Sequence, residues 1–318
     1  MNFWADKRVL ITGGTGFLGS HLVETFKENQ TKSITALGSK DYDLTREDQV
    51  EKMFAQYNPD IVFHLAGLVG GILANKERPA DFFFRNLMMG TLVMHHAWKN
   101  NIKKFVGAGA GCGYPELATM PLKETDLWAG APQTESAPYS LAKRMLVVQA
   151  AAYNKQHNFT SIICIPGNIY GEFDNFNLHD SHVIPALVRK FVEATRDRRP
   201  TVEVWGSGKP TRDYIYAGDA ARGMLRAAEV YTGAHVLNLS SGVETSVNDV
   251  CASLQRITGF TGSIVRNVDR PDGQQRRFFD VSKAQKELGF EASTALEVGL
   301  RKTVDWYVKY GDSAGVRK

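Results

Sequence analysis

Short apolar runs rich in β-branched residues recur at Arg8–Thr12, Ser33–Leu37, Ile61–Leu65, Phe105–Ala108 and Ser161–Ile165. None alternates strictly between apolar and polar, so each is expected to be buried on both faces, as strands of a parallel sheet between two helical layers are. Between them lie longer stretches with helical spacing: His21–Glu28, Asp48–Tyr57, Asp81–Trp98 and Tyr139–Tyr153. That alternation predicts an α/β fold, a doubly wound parallel Rossmann sheet over residues 1–167. Beyond Pro166 the pattern changes to a Gly/Asn/Asp-rich loop over 167–180, a helix over His182–Thr195 and a loop holding Trp205-Gly-Ser-Gly-Lys-Pro210. A helix at Asp219–Val230 reads as a return to the first domain, within a segment of about 213–238. The remainder of 168–318, with short helices and strands after residue 240, is expected to form a smaller, interleaved C-terminal α/β substrate lobe.

Composition narrows the class. The 318 residues are 43% apolar, with 38 basic side chains against 34 acidic and a net charge of +4. A chain of this length exceeds one hydrophobic core and needs no staples, and neither disorder nor a disulfide scaffold fits such values. No window carries a Lys/Arg stripe interleaved with aromatics, so no nucleic-acid partner is expected. No apolar stretch approaches bilayer length and the opening MNFWADKR is too polar for a signal peptide, so no membrane association is expected. Cys112, Cys164 and Cys251 are widely spaced and form no CxxC pair, which predicts reduced thiols and a cytoplasmic protein. His179 and His182 flank Asp180 at a spacing that could hold a metal, but no further ligands cluster nearby and no metal is expected. His95-His96 reads as helix surface or a dimer contact.

Val9-Leu-Ile-Thr-Gly-Gly-Thr-Gly-Phe-Leu-Gly19 carries a glycine triplet between a strand and an amphipathic helix. Glycines there turn the chain tightly, admit a pyrophosphate and aim helix N-terminal amides at its charge, so the loop predicts dinucleotide binding. At the end of the second strand a carboxylate would select NAD by binding the ribose 2′-hydroxyl. Here that place holds Ser39 and Lys40, a hydroxyl and a cation, with Asp41 only after them; NADP is the expected cofactor, with NAD as the alternative. Asp43 and Leu44 are placed to meet the adenine. Tyr139 and Lys143, four apart at a helix start, share one face, and an ammonium beside a phenol favours the phenolate, making an acid/base usable near neutrality.

The chain resembles the extended short-chain dehydrogenase/reductase family and, within it, the GDP-L-fucose synthase group. The likeness runs through Ser39-Lys-Asp-Tyr-Asp-Leu-Thr45, Leu65-Ala-Gly-Leu-Val-Gly-Gly71, Cys112-Gly-Tyr-Pro115, Tyr139-Ser-Leu-Ala-Lys-Arg144, Asp174-Asn-Phe-Asn177, Ser181-His-Val-Ile-Pro185, Trp205-Gly-Ser-Gly208 and Asp272-Gly273. It implies epimerisation at C3 and C5 of a GDP-linked 4-keto sugar followed by NADPH reduction at C4, in nucleotide-sugar biosynthesis. Tyr139, Lys143, Cys112 and His182 would then be catalytic, with Cys112 the base and His182 the acid at C3 and C5, each with a pKa reachable near neutrality. Cofactor contacts would come from Gly13, Gly16, Phe17, Leu18 and Gly19, from Ser39, Lys40, Asp43 and Leu44, from Leu65, Ala66 and Gly67, and from Lys143, Pro166, Asn168 and Ile169. Asn168, His182, Lys190, Trp205, Arg212 and Arg277 would hold the GDP-sugar, and a homodimer would form through the helices at Asp81–Trp98 and Tyr139–Tyr153.

One departure is chemical. The group carries a serine two positions before the cysteine, whose hydroxyl holds the C4 oxygen; here Ala110 stands in that place, between Gly109 and Gly111. Losing an oxyanion donor lowers rates by about a hundredfold or more. Backbone amides or water in its stead, a larger or differently oriented sugar such as a heptose, and a truncated reaction are therefore all open. The alternative function is an NAD(P)-dependent nucleotide-sugar 4-dehydrogenase or epimerase, and a non-catalytic nucleotide-binding protein is a third.

Overall fold

The computed structural model describes residues 2–29, 31–269 and 273–314. In chain order its first part runs β1 (Arg8–Thr12), α1 (Phe17–Lys27), β2 (Ser33–Leu37), α2 (Glu47–Tyr57), β3 (Ile61–His64), α3 (Ile72–Glu77), α4 (Pro79–Lys99), β4 (Lys104–Ala108), α5 (Ala137–His157) and β5 (Ser161–Pro166). There follow β6 (Asn168–Tyr170), α6 (Val183–Arg196), β7 (Thr201–Trp205), β8 (Thr211–Tyr216), α7 (Ala217–Val230) and β9 (Ala234–Leu239). The last part holds β10 (Glu244–Ser246), α8 (Val247–Thr258), β11 (Ser263–Asn267), β12 (Arg276–Arg277), α9 (Ser282–Leu288) and α10 (Leu296–Ala314).

Six strands form an all-parallel sheet in the order β2-β1-β3-β4-β5-β9. The missing alternation in the strands now has its cause. Successive side chains point to opposite faces, and both faces are covered: Val9 and Ile11 pack under α1 and α7 with Leu22, Phe26 and Met224, while Leu10 joins Val62, Met94, Phe105 and Leu146 beneath α2, α4 and α5. The chain steps from β1 outward to β2 and then returns to the other side of β1 to lay β3. Such a reversal opens a crevice at the carboxyl ends of the strands, the place where α/β sheets bind ligands.

The second core lies around Val188, Phe191, Val204, Tyr214, Leu254 and Val304, between α6, α8, α10 and two small sheets. In one of these β8 pairs with β6, β10 and β12; in the other β7 pairs with β11. The return to the large sheet is made by α7 and β9, whereas residues 213–216, expected in that return, belong to β8 of the small sheet. Helix α3 and the 19-residue length of α10 depart from the sequence expectation. Among the described residues no helix is long and apolar enough to cross a membrane.

Candidate active site

The glycine loop leaves β1 beside the reversal. Gly13 has φ of +72°, and a Cβ there would lie 2.6 Å from the backbone nitrogen of Ala66, on the loop after β3. Gly19 packs against the Gly13 carbonyl so closely that a side chain would collide with it. The loop is therefore a shallow backbone cradle at the start of α1, and Gly16 as N-cap of α1 has no side-chain cap of its own. Phe17, Leu18 and Ile169 are half-buried around it. These features fit a pyrophosphate at a helix N-terminus. At the end of β2, Ser39 and Lys40 are exposed, and the Asp41 carboxylate accepts from the Gly38 amide at 2.7 Å, tied to its own turn. Asp43 is likewise occupied by Thr45, while Leu44 is buried.

The loop after β3 is fixed by Asn86 of α4, whose side chain bonds both the amide and the carbonyl of Leu68 at 3.0 Å. A Cβ on Gly67 would sit 3.4 Å from Lys143 Nζ, so the ammonium lies against that loop. Lys143 is 5% exposed and donates to the Ala108 carbonyl at the end of β4 at 3.1 Å. Tyr139, one turn earlier on α5, is half-buried with its ring edge-on to Phe82.

The electrostatics correct the expectation for this pair. Burial pushes the Tyr139 phenol well above its ordinary range, and the neighbouring Cys112 adds to the shift. Burial also pushes Lys143 down to about 8, against the opposing pull of Cys112. Desolvation thus outweighs the ion–dipole attraction on which the sequence reading relied.

Cys112 stands in a 3-10 turn, Gly111–Gly113, that follows β4 after Gly109 and Ala110. Gly111 lies against the ring of Phe279, just beyond β12, and near the Pro166 carbonyl at the end of β5. The thiol is half-buried, unlike Cys164 and Cys251, which are buried in the two cores. Its pKa is raised by burial, partly offset by the Ser140 hydroxyl, Arg277 and Lys143. His182 is the N-cap of α6, on a loop joined to the β3 loop by the Gly71 amide bonding the Asp180 carbonyl at 3.2 Å. His182 is exposed, and its pKa is lowered by desolvation, partly offset by the Asp180 charge.

The cations divide. Arg277, on β12, pairs in register with Arg212 on β8. Arg277 is 9% exposed, and its Nε and Nη2 are buried without a hydrogen-bond partner. Arg212 donates to its neighbour's carbonyl, Thr211, at 2.7 Å. Lys190 lies 5.2 Å over the exposed Trp205 ring and donates to the Glu203 carbonyl at 3.0 Å. Asn168 donates to the Asp213 carbonyl at 3.2 Å, tying β6 to β8. Asp272 lies outside the described residues.

One histidine expectation changes. His96 is 1% exposed, stacked on Phe54 and bonded to Glu47 at 3.3 Å, so it belongs to the interior and not the helix surface. Glu47, Glu51 and His96 bring ligand atoms within 4.8 Å of one another, but Glu51 is paired with Lys99. His179 is exposed, its amide bonded to Asn177. Sequence reasoning missed Asn86, Ser140 and Arg144; only their spacing from Phe82 and Tyr139 on the two helices could have pointed to them.

The sequence profile of the NAD dependent epimerase/dehydratase family matches residues 9–240. "Putative GDP-L-fucose synthase 2" of Arabidopsis thaliana is 34% identical over 302 residues, 95% of this chain and 92% of that protein. A GDP-L-fucose synthetase from Naegleria fowleri bound to NADP matches with a TM-score of 0.92 and 29% identity, over 99% of this chain and 98% of that one. A GDP-6-OMe-4-keto-L-xylo-heptose reductase from C. jejuni gives 0.90 and 28%, over 97% and 99%. With a profile match that extends from β1 through β9 and relatives aligned nearly end to end, this chain belongs to the NAD dependent epimerase/dehydratase family.

Proposed function

We propose that the chain is an NADPH-dependent GDP-sugar 3,5-epimerase/4-reductase of nucleotide-sugar biosynthesis, acting on a 4-keto hexose or heptose. One observation carries the reading. Tyr139, Lys143, Cys112 and Arg277 form one electrostatically linked group where β4, β5 and α5 meet, next to a glycine cradle fit for a dinucleotide. The names of the relatives, GDP-fucose synthases and a GDP-keto-heptose reductase, support the substrate class.

A ketone at C4 acidifies the hydrogens on C3 and C5, so a thiol and an imidazole reaching the ring can exchange those protons through an enolate. Cys112 and His182 are the groups for that work. Bound NADPH supplies the hydride that reduces C4. Tyr139 gives the resulting oxygen its proton, and Lys143 holds the nicotinamide ribose hydroxyls. Arg212 and Lys190 serve the diphosphate end, Trp205 packs beside them, and Asn168 closes the lip. The Ser39–Lys40 pair favours the 2′-phosphate, since the nearest carboxylate, Asp41, is turned to its own loop.

Deuterium uptake at C3 and C5 of a GDP-linked 4-keto sugar in D₂O, with and without NADPH, tests the reading; two labelled positions are expected. The absent hydroxyl at Ala110 favours one rival, a nucleotide-sugar 4-dehydrogenase or 4-epimerase with tightly held NAD, for which neither position would exchange.

The same reading includes a homodimer through α4 and α5, whose outer faces expose Phe84, Leu141 and Val148. Light scattering at twice the chain mass is the expected result. Three thiols without a disulfide support a reducing, cytoplasmic setting.

A further inference from the structure

The geometry points to Arg277 as the donor that stabilises the oxyanion formed on the sugar's C4 oxygen, in a site whose β4 loop offers no hydroxyl for that task. The inference rests on the epimerase/reductase reading and deepens it. When a base takes a proton from C3 or C5, the C–H electron pair forms a carbon–carbon double bond to C4. The carbonyl π pair moves onto oxygen, and reprotonation of the carbon from the other face returns that pair to the carbonyl. Each inversion therefore passes a full negative charge through one oxygen, and donors must be aimed at it beforehand.

Residues 108–111 are Ala-Gly-Ala-Gly and bring no side-chain donor. Tyr139 can supply one hydrogen bond. A buried cation with unused N–H groups is otherwise unfavourable, because a desolvated donor without an acceptor loses the bonds water gave it. Arg277 has two such atoms, Nε and Nη2, and is nine-tenths buried. Its position is fixed from both sides: β12 pairs with β8, and two residues on, Phe279 packs against Gly111, the residue before Cys112. The guanidinium is close enough to Cys112 and to Arg212 for each to shift its charge equilibrium. It is therefore neighbour to Arg212 across the β8–β12 pair and within electrostatic reach of the Cys112 thiol. A planar fork of two N–H groups suits one oxyanion or an oxygen pair on a single sugar.

The test is a double-mutant cycle of Arg277→Met and Ala110→Ser, read as C3/C5 exchange and C4 reduction on a GDP-linked 4-keto sugar, beside calorimetric binding of GDP alone. Arg277→Met is expected to lose about a hundredfold or more in both steps, as loss of a preorganised oxyanion donor does. GDP affinity should stay within about threefold, and unfolding temperature should not fall, since an unpartnered buried charge is removed. Ala110→Ser in the Arg277→Met background should recover much of the loss, because the new hydroxyl serves the same oxygen. Additive losses would overturn the inference, as would GDP binding weakened by the same factor as activity, which would make Arg277 a diphosphate residue. A parent chain that exchanges neither position would overturn the functional reading and this inference together; exchange in the parent with an additive cycle would sink this inference alone.

Discussion

The Arg144 guanidinium donates from Nε to the carbonyl of Gly113, the residue that follows Cys112, and from Nη2 to Gly130 at 2.9 Å. Its plane also lies 5.5 Å over the Trp128 ring, and the side chain is 6% exposed. Helix α5 thereby grips the cysteine turn from one residue beyond Lys143. Arg144→Met keeps the stem but leaves the buried Gly113 carbonyl without its donor, which costs about 1–3 kcal/mol. A drop of a few degrees in unfolding temperature is expected, with a fall in turnover larger than any change in KM; Arg144→Lys should recover part of both.

The parts of the molecule legible in the sequence are those whose cause is local. Val9, Leu10 and Ile11 announce a two-faced strand, and Gly13 with Gly19 announces a cradle, because the constraint acts within a few residues. Arg144 could not be read this way: its acceptors lie 31 and 14 residues off in sequence. Arg277 is placed by pairing with β8 and by Phe279 against Gly111, neither of which periodicity predicts. The spacing of Tyr139 and Lys143 was readable, but the balance between attraction and desolvation depends on walls contributed by β4, the β3 loop and Cys112.

Tyr139→Phe removes the proton donor for C4 while leaving the ring's packing against Phe82. C4 reduction should fall by about a hundredfold to ten-thousandfold, the usual size of a general-acid contribution. Exchange at C3 and C5 should fall less, since it loses one of the hydrogen bonds to the C4 oxygen but needs no net protonation of it. Equal loss of both in a mass-spectrometric assay would place Tyr139 in the epimerisation as well.

Lys143 titrates near neutrality because burial pushes its ammonium down to about 8. Below that pH it is charged and can hold ribose hydroxyls; as pH rises through it the charge is lost. NADPH affinity, followed by fluorescence titration, should therefore weaken above about pH 8 in the parent chain. Lys143→Arg, which stays protonated, should bind more weakly at pH 7 but show no such alkaline limb.

Exposed Lys40 is available to a 2′-phosphate, and Asp41 is held by the Gly38 amide. Lys40→Glu should weaken NADPH binding by roughly tenfold or more, as loss of one favourable contact and gain of a repulsive one imply. NADH binding should be much less affected. If the parent chain instead binds NADH more tightly than NADPH, the assignment of the 2′-phosphate contact to Ser39 and Lys40 is wrong.

His64, at the end of β3, is 1% exposed, and its Nδ1 shares a 2.8 Å hydrogen bond with Thr12 Oγ1 on β1. Burial, aided by the nearby Lys143 charge, pushes its pKa down to about 3 from an ordinary 6.5. The unfolded chain therefore binds a proton below about 6.5 that the folded chain refuses until about 3, so stability rises with pH across that window. Above it the contribution is fully present; as acid is added it is lost progressively, by on the order of a few kcal/mol in all. Urea unfolding at pH 7, 6, 5 and 4 should show this slope. His64→Gln should begin less stable at pH 7, where Thr12 loses a well-placed partner, yet decline less on acidification. A parent and variant with parallel pH profiles would show that His64 is not the group that titrates, and would shift the acid sensitivity to His21, whose pKa is also lowered by burial.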